Sequence, residues 1–321
     1  MNRSSSSAAL LIGAVAVPGR VQRIDRGQDF LKDKVSHLSK AGGKRFRPMM
    51  ALLASEYGPR PGCEEVVKAA TVVEMVHVAT LYHDDVMDEA DRRRGVESAN
   101  SRWNNSVAIL AGDALLAHAS RLMSELDTHT VGHFADTFEE LVTGQMRETI
   151  GAGEANAVEH YTAVIREKTA VLIASAGYLG AYHSGASAEH AAALHRIGGA
   201  IGMIFQIVDD VIDIFSDPKE SGKTPGTDLR EGVFTLPVLY ALEEEGEVGD
   251  KLRELLTGPL HSDAEVERAI ELLHQSGGRQ KALEDITAYL RVVEEQLAVL
   301  PENSASQALR QLADYTVRRV G

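Results

Sequence analysis

The sequence predicts an all-α fold, organised as one large helical bundle of 321 residues. Proline is scarce, at nine residues, and long stretches rich in Ala, Leu, Val, Ile, Glu and Arg recur at helical spacing. No segment alternates polar with apolar residues as a half-buried strand would. Residues 191–214 are apolar around most of the helical circumference, which predicts a helix buried on all sides at the centre of the bundle.

Helical periodicity marks eight segments along the chain. The predicted helices are residues 69–86, 107–126, 133–150, 161–182, 190–214, 236–245, 264–273 and 280–300. The longest irregular stretch, residues 216–234, separates two of them, and loops of this length in compact domains are usually functional. No Pro/Gly-rich linker divides the chain, so we predict a single domain over residues 1–321, with residues 1–20 as a frayed terminus.

Composition disfavours several classes of protein. The formal net charge of -14 gives no basic footprint for nucleic acid, so no nucleic-acid partner is expected. Cys63 is the only cysteine, which excludes an internal disulfide and a cysteine-based metal cage and fits the cytoplasm. The apolar residues 8–17 are too short to span a bilayer, and no small-x-small cleavage site follows them, which disfavours the alternative of an exported protein.

An Asp-Asp-x-x-Asp pattern occurs twice, each time at the end of a long apolar helical stretch. The two aspartate triplets are Asp84, Asp85 and Asp88, and Asp209, Asp210 and Asp213. At about 100° per residue, each triplet presents its carboxylates within an arc of about 100° on one helix face. Aspartate is a poor helix former and neighbouring like charges repel, so a cation is expected to compensate them. The alternative is a solvated acidic helix end, which the apolar neighbours of the second triplet disfavour.

The type of ligand narrows the choice of cation. Oxygen ligands without Cys or a His-x-x-x-His pattern favour a hard cation, and sparse carboxylates suit Mg²⁺ shared with phosphate oxygens. A calcium cage would need many more oxygens from one loop. We therefore expect Mg²⁺ to bridge a phosphorylated substrate to both acidic helices.

Cationic groups suited to phosphate accompany the triplets. Residues 42–48, GGKRFRP, combine glycines with a basic cluster, and residues 91–95, DRRRG, follow the first triplet. Either cluster alone could be a solvated basic turn. His77 lies two helical turns before Asp84 and on the same face, although a satisfied core histidine is the alternative. Lys168 with Thr169, Gln206 and Lys223 add polar groups beside apolar helices, each a weak signal alone.

From about residue 42 onward the sequence resembles the trans-isoprenyl diphosphate synthase family. The motifs that carry the resemblance are GGKRFRP, HDDVMDEADRRRG, AGDALLA, GQ, KTA and FQIVDDVIDIFSD followed by GKTPGTDLREG. The resemblance implies an isoprenoid synthase fold, a helical bundle around a deep central substrate cavity, assembled as a homodimer. It also implies head-to-tail condensation of isopentenyl diphosphate with an allylic diphosphate, with three Mg²⁺ ions per active site.

The resemblance also assigns roles to individual residues. Isopentenyl diphosphate would contact Lys44, Arg47, His77 and Arg94, and the allylic diphosphate would contact Arg93, Lys168, Thr169, Gln206 and Lys223. Asp84, Asp88, Asp209 and Asp213 would bind Mg²⁺, with Asp85 and Asp210 in support. Catalysis would rest on these aspartates together with Lys168 and Lys223. Many members carry lysine where this chain has Val233, so one diphosphate-binding cation is expected to be missing.

Residues just before the first triplet bear on product length, because in the family large side chains there stop chain growth. Ala79 and Thr80 are small, which predicts an open tunnel, with Val76 as a residue that caps it deeper down. Other deep candidates, which could equally be ordinary core, are Met75, Leu115, Leu116 and Met123. We expect a long product of about six to nine isoprene units for quinone side chains, released with transient membrane contact. Geranylgeranyl or farnesyl diphosphate is the alternative.

Two rival classes share parts of this pattern. A class I terpene cyclase also has an Asp-rich magnesium site, but it binds a single diphosphate and would not need the set Lys44, Arg47 and His77. A non-catalytic subunit of a heteromeric synthase usually loses one Asp triplet, and both are intact here. The sequence therefore favours the prenyltransferase.

Overall fold

The computed structural model describes residues 29–43, 45–216 and 225–318. These residues are mostly helical, which confirms the predicted fold class. The α-helices are Asp29–Lys40 (α1), Phe46–Ser55 (α2), Glu64–Met87 (α3), Ala99–Arg102 (α4), Asn105–Ser124 (α5), Thr128–Ile150 (α6), Ala157–Ile165 (α7), Val171–Ser184 (α8), Ala188–Phe215 (α9), Thr227–Glu231 (α10), Leu236–Leu242 (α11), Glu247–Leu255 (α12), Asp263–Gln275 (α13), Gly278–Leu297 (α14) and Ser304–Val317 (α15). The predicted frayed terminus, residues 1–20, and two predicted site residues, Lys44 and Lys223, lie outside the described residues.

The chain forms two compact units. The first contains the described residues up to Thr137, with Leu172–Gly198 and Asn303–Ala305. In it, α3 packs along α5, and α1 is tied to α3 by Tyr82. The buried Tyr82 hydroxyl donates a hydrogen bond to the Lys34 carbonyl at 2.5 Å and accepts one from the Leu38 amide at 3.2 Å. Because α3 ends in the first triplet, these contacts fix where that triplet lies in the unit.

The second unit contains Phe138–Val171, the described residues within Gly199–Glu302 and those from Ser306 onward. Its apolar core lies where α10 to α13 meet the end of α9. The core residues include Ile214, Leu229, Val238, Ala241, Leu252, Leu256, Val266, Ala269, Leu272 and Leu273. Ser262 and Glu265 form a reciprocal capping box that satisfies amides at the start of α13. This packing holds the carboxyl end of α9, which carries the second triplet.

A two-residue hairpin follows the first triplet, although the sequence predicted no strand. Arg92–Arg93 (β1) pairs antiparallel with Val96–Glu97 (β2). Arg94 and Gly95 form the turn, with φ of 52° and 79°, as a two-residue turn of type I′ requires. The run of arginines therefore lies on a hairpin rather than on a simple basic loop. The strands are too short for an alternating pattern to mark them.

The predicted helix over residues 161–182 is not continuous. Between α7 and α8 the backbone forms a single π-helical turn, Arg166–Ala170, which we call the π turn. The predicted loop, residues 216–234, contains the short helix α10. Periodicity also missed α1, α2, α4, α12 and α15, whose short or polar stretches give a weak apolar signal. The remaining predicted helices are confirmed, with bounds that differ by a few residues.

Candidate active site

The first triplet lies at the carboxyl end of α3. Asp84 and Asp85 belong to the last helical turn, and Asp88 follows the helix, with its amide donating to the Asp84 carbonyl at 2.8 Å. Asp85 is fully buried, whereas Asp88 is exposed. The negative end of a helix dipole disfavours carboxylates, so this position needs compensating cations. The predicted arc of about 100° is wide enough to point Asp85 inward while Asp88 points out.

Arg93 supplies part of this compensation. Its Nε donates to Asp85 Oδ1 at 2.6 Å, and its guanidinium lies 3.7 Å from Asp88 Oδ2. The second Asp85 oxygen, Oδ2, is buried and has no hydrogen-bond partner among the described residues. Burial raises the pKa of Asp85, against the lowering effect of Arg93. An inward carboxylate oxygen with open lone pairs suits a divalent cation or its bound water.

The basic loop before α2 has a strained backbone that glycine and one ion pair stabilise. Gly42 and Gly43 have φ of 101° and 137°, and Arg45 is also in the left-handed region at 49°. The Arg45 guanidinium donates to Glu74 Oε1 at 2.9 Å and to the Ser39 carbonyl at 2.8 Å. Glu74 is 2% exposed, so this is a buried ion pair. It fixes the loop onto α3.

Three of the residues predicted to bind isopentenyl diphosphate come together beside this loop. Arg94 donates to the Gly42 carbonyl at 2.6 Å and lies 3.4 Å from His77 Nε2. Burial, and then the charges of neighbouring arginines, hold the pKa of His77 well below its usual value. Burial lowers the pKa of Arg47 to about 10, and its buried Nε has no partner within the described part of the chain. Such an array of cations is suited to binding an anion.

The second triplet lies in the last turns of α9. Asp210 is 2% exposed, and both of its carboxylate oxygens accept hydrogen bonds, from the Tyr161 hydroxyl at 2.7 Å and from Gln206 Nε2 at 3.0 Å. Burial raises the pKa of Asp210 to about 7. Asp213 is also buried, and its Oδ2 accepts from the Asp228 amide at 3.2 Å. Asp209 is more accessible than either.

The π turn presents Lys168 and Thr169, both predicted contacts of the allylic substrate. Lys168 Nζ lies 2.5 Å from Glu148 Oε2, and Thr169 Oγ1 donates to Gln206 Oε1 at 3.4 Å. Single π turns inside helices are frequent at functional sites. Gly144 allows α6 to approach this turn, because a Cβ there would lie 2.6 Å from the Glu167 Cβ and 2.8 Å from the Lys168 amide. This explains the glycine of the GQ motif.

The candidate chain-length residues lie on α3 in the first unit. Ala79 and Val76 are fully buried, and Thr80 is partly buried, with its hydroxyl bonded to the His77 carbonyl at 2.9 Å. The deeper candidates Met75, Leu115 and Met123 are buried, and Leu116 is partly buried. In the second unit, the exposed Val233 follows α10.

Sequence reasoning missed several residues that shape the site. Tyr161 precedes Lys168 by seven residues, the same spacing by which His77 precedes Asp84, so the same argument could have found it. Glu74 and Glu148 gave no local signal. Within residues 29–43, 45–216 and 225–318, no group of three or more His, Cys, Asp or Glu side chains lies close enough to hold a metal ion without further ligands.

Comparison with known proteins gives consistent matches over most or all of the chain. The family model Polyprenyl synthetase matches residues 28–273. Nonaprenyl diphosphate synthase of Mycobacterium tuberculosis (strain ATCC 25618 / H37Rv) is 50% identical over 317 residues, 96% of this chain and 95% of that protein. The crystal structure of geranylgeranyl pyrophosphate synthase from Corynebacterium glutamicum, with calcium and isoprenyl diphosphate, has 60% identity and a TM-score of 0.90, covering 100% of this chain and 99% of that one. Decaprenyl diphosphate synthase from Rhodobacter capsulatus has 32% identity and a TM-score of 0.88, covering 98% and 99%.

Fold and site together define an all-helical prenyltransferase with two aspartate triplets. The chain belongs to the polyprenyl synthetase family, whose members include prenyl diphosphate synthases.

Proposed function

We propose that this enzyme condenses isopentenyl diphosphate head-to-tail with an allylic diphosphate to make an all-trans product of about six to nine isoprene units. The observation that carries the length is the pair of small side chains, Ala79 and Thr80, at the fifth and fourth positions before Asp84. The 50% identity with nonaprenyl diphosphate synthase of Mycobacterium tuberculosis supports it. A product of this length is suited to the side chain of a respiratory quinone.

Geranylgeranyl diphosphate is the second candidate product. The observation in its favour is the 60% identity with geranylgeranyl pyrophosphate synthase from Corynebacterium glutamicum. Small residues before the first triplet do not by themselves exclude that larger side chains further along α3 or α5 stop the growing product. The buried candidates are Val76, Met75 and Leu115. The two candidates differ in where the chain stops and not in chemistry.

Divalent metal use by the family is seen in the relatives crystallised with calcium and isoprenyl diphosphate. For this chain we propose Mg²⁺, with three ions per site, held by Asp84 and Asp88 in the first triplet and by Asp209 and Asp213 in the second. The open lone pairs of Asp85 Oδ2 support metal or metal-bound water at the first triplet. Bound there, Mg²⁺ would neutralise the negative charge that develops on a departing diphosphate.

The cationic side chains have two separate roles in this proposal. Arg47, His77 and Arg94, with Lys44, hold isopentenyl diphosphate, and the unpartnered Arg47 Nε supports this assignment. Arg93, Lys168, Thr169 and Gln206, with Lys223, hold the allylic diphosphate. In the described structure, Arg93 forms an ion pair with Asp85 and Lys168 forms one with Glu148, so diphosphate would compete with these carboxylates for the two cations.

The roles of these cationic side chains indicate how the reaction proceeds. The bond between the allylic carbon and the diphosphate oxygen breaks, and Arg93 and Lys168 stabilise the charge on the leaving oxygen. The double bond of isopentenyl diphosphate attacks the allylic cation and forms the new carbon–carbon bond. A proton then leaves the adjacent carbon for the released diphosphate. Exclusion of water protects the allylic cation from hydrolysis.

A homodimer is the proposed assembly. On α5, one side packs against α3, while Ile109 and Leu110 on the other side are 42% and 62% exposed. Exposed apolar clusters mark contact surfaces, and a second copy would cover this one. By length and composition alone α5 could also cross a membrane, so transient membrane contact during product release is a further proposal. Light scattering of the purified enzyme and flotation with lipid vesicles test the two separately.

Cytoplasmic location and a single domain are also proposals. The lone Cys63, which leaves no internal disulfide to form, supports the reducing cytoplasm. One cooperative unfolding transition by calorimetry would support a single domain over residues 1–321, whereas two separated transitions would contradict it.

The deciding experiment is incubation with Mg²⁺, labelled isopentenyl diphosphate and farnesyl or geranylgeranyl diphosphate, followed by dephosphorylation and sizing of the alcohols. A ladder that ends beyond six units supports the long-chain synthase, and an end at four units supports the second candidate. Asp84→Ala and Asp209→Ala should each lower turnover by at least about a hundredfold. Asp250→Ala, which removes an exposed carboxylate of α12, is the matched control and should leave turnover unchanged.

A further inference from the structure

Tyr161 makes a direct contact with the second triplet that the motif assignments do not include. Its hydroxyl, at the middle of α7, donates to Asp210 Oδ2 in the carboxyl half of α9 at 2.7 Å. Gln206, one turn before Asp210 on α9, donates to the other oxygen, Oδ1, at 3.0 Å. The Asp210 carboxylate is therefore held at both oxygens, which leaves it little rotational freedom.

Both donors are neutral, and this distinguishes Asp210 from Asp85, the residue at the same place in the first triplet. Asp85 of the first triplet is held by a cation, Arg93. Asp210 accepts its two side-chain hydrogen bonds from uncharged groups, Tyr161 and Gln206, and the nearby charges of Asp209 and Asp228 are negative. A carboxylate oxygen offers about two lone-pair positions, so a neutral donor orients it without adding a positive charge and leaves a lone pair for a cation. A lysine or arginine in place of Tyr161 would orient Asp210 but neutralise it.

The same contacts link Asp210 to the π turn. Gln206, which holds Asp210 Oδ1, accepts a hydrogen bond from Thr169 Oγ1 at 3.4 Å. Tyr161 lies on the helix that leads directly into the π turn at Arg166. One chain of hydrogen bonds thus connects α9 with the segment that carries Lys168; its members are Tyr161, Asp210, Gln206 and Thr169.

We propose that Tyr161 is a positioning residue, whose hydroxyl holds the Asp210 carboxylate in the orientation that the second triplet needs to bind metal against the allylic diphosphate. This inference rests on the proposed function, because it requires the second triplet to take part in the reaction. Tyr161 acts through Asp210 and does not touch the reacting atoms.

Tyr161→Phe tests the proposal, because it removes the hydroxyl and keeps the ring. We expect kcat to fall about tenfold, equivalent to about 1.4 kcal/mol, and the Mg²⁺ concentration for half-maximal rate to rise severalfold. The KM for isopentenyl diphosphate should not change. Tyr240→Phe is the matched control, since it removes a similar hydroxyl–carboxylate bond, 2.6 Å to Asp285 Oδ2, within the same unit. It should leave kcat and the Mg²⁺ dependence as in the wild type.

A double-mutant cycle with Asp210→Asn shows whether Tyr161 acts through Asp210. If it does, Tyr161→Phe should lower kcat less than twofold in the Asp210→Asn background. Multiplicative effects would overturn the proposal. A lower thermal midpoint with wild-type Mg²⁺ dependence, or a variant that does not fold, would also overturn it, because either result makes Tyr161 a purely structural residue.

Failure of this inference can be told apart from failure of the proposed function. An active wild-type enzyme whose Asp209→Ala variant is inactive, but whose Tyr161→Phe variant keeps its Mg²⁺ dependence, refutes only the role of Tyr161. Full activity in Asp209→Ala would instead refute the participation of the second triplet, and the role of Tyr161 with it.

Discussion

Glu74 lies within a cluster of positive charge, which makes Glu74→Gln an informative perturbation. Its carboxylate is 2% exposed and pairs with Arg45 at 2.9 Å. It is also the acidic group whose charge raises the pKa of Arg47 and of Arg94 against the lowering effect of burial. The substitution removes one negative charge and keeps the size of the side chain and one hydrogen-bond acceptor.

The expected loss of stability can be worked from the pair itself. Breaking a buried ion pair by removing one partner costs about 3–5 kcal/mol. Arg45 keeps its bond to the Ser39 carbonyl, its side chain is 19% exposed, and glutamine still accepts a hydrogen bond. We therefore expect the free energy of unfolding to fall by about 2–3 kcal/mol, which for a chain of 321 residues is a reduction of about 3–5 °C in Tm.

Calorimetry or thermal circular dichroism measures this change, and Glu271→Gln is the matched control. Glu271 pairs with Arg268 at 3.1 Å, but both side chains are at least half exposed. An exposed pair is worth about 0–1 kcal/mol, so the control should shift Tm by no more than about 2 °C. Equal shifts for the two variants would refute the claim that burial sets the cost.

Measuring Tm with and without inorganic diphosphate provides a second test. If the cluster around Glu74 binds diphosphate, the anion replaces the missing negative charge, and the deficit in Tm should shrink when diphosphate is added. Diphosphate that stabilises Glu74→Gln and the wild type equally would contradict this electrostatic account, while leaving the stability argument intact.

Three further predictions concern other parts of the chain. Burial is the chief reason that the pKa of His133 is lowered from 6.5 to about 4. As the pH falls, the unfolded state therefore takes up the proton before the folded state does. The free energy of unfolding should fall by about 1 kcal/mol between pH 7 and pH 5, after allowance for solvent screening. His133→Gln should remove that part of the pH dependence, measured by denaturant titration. Gly144→Ala should destabilise the protein by about 1–3 kcal/mol and lower turnover, because its Cβ would displace the π turn. Val233→Lys should lower the KM for the allylic diphosphate by a factor of about 1.4 to 5, since an exposed charge pair contributes about 0.2–1 kcal/mol.

Each of these three has its own check. Gly132→Ala is the control for Gly144→Ala, because it lies on the same helix and its added Cβ would meet nothing within 4 Å. It should be neutral or slightly stabilising. An unchanged pH slope in His133→Gln would assign the dependence to other groups, such as His183 or His195, whose pKa values burial also lowers. For Val233→Lys, an unaltered allylic KM would show that no diphosphate reaches this position.

Long helices were the part of the fold that the sequence predicted best. Residues 69–86 and 190–214 were found within a few residues of α3 and α9, because apolar periodicity over many turns is a strong local signal. The π turn was missed, since its side chains continue the helical pattern on both sides and its close approach to Gly144 is a tertiary contact. The arginine hairpin was missed because two-residue strands carry no periodicity.

By itself the sequence determined the helical class, the two aspartate triplets and the motifs of the family. These are local properties, fixed by composition and by spacing along one helix. Only the tertiary structure decided how each acid is held: Asp85 by a cation, Asp210 by two neutral donors, and Glu74 as the buried partner of Arg45, 29 residues earlier in the chain. Burial and hydrogen-bond partners arise where distant segments pack together, and spacing along the chain carries no record of them.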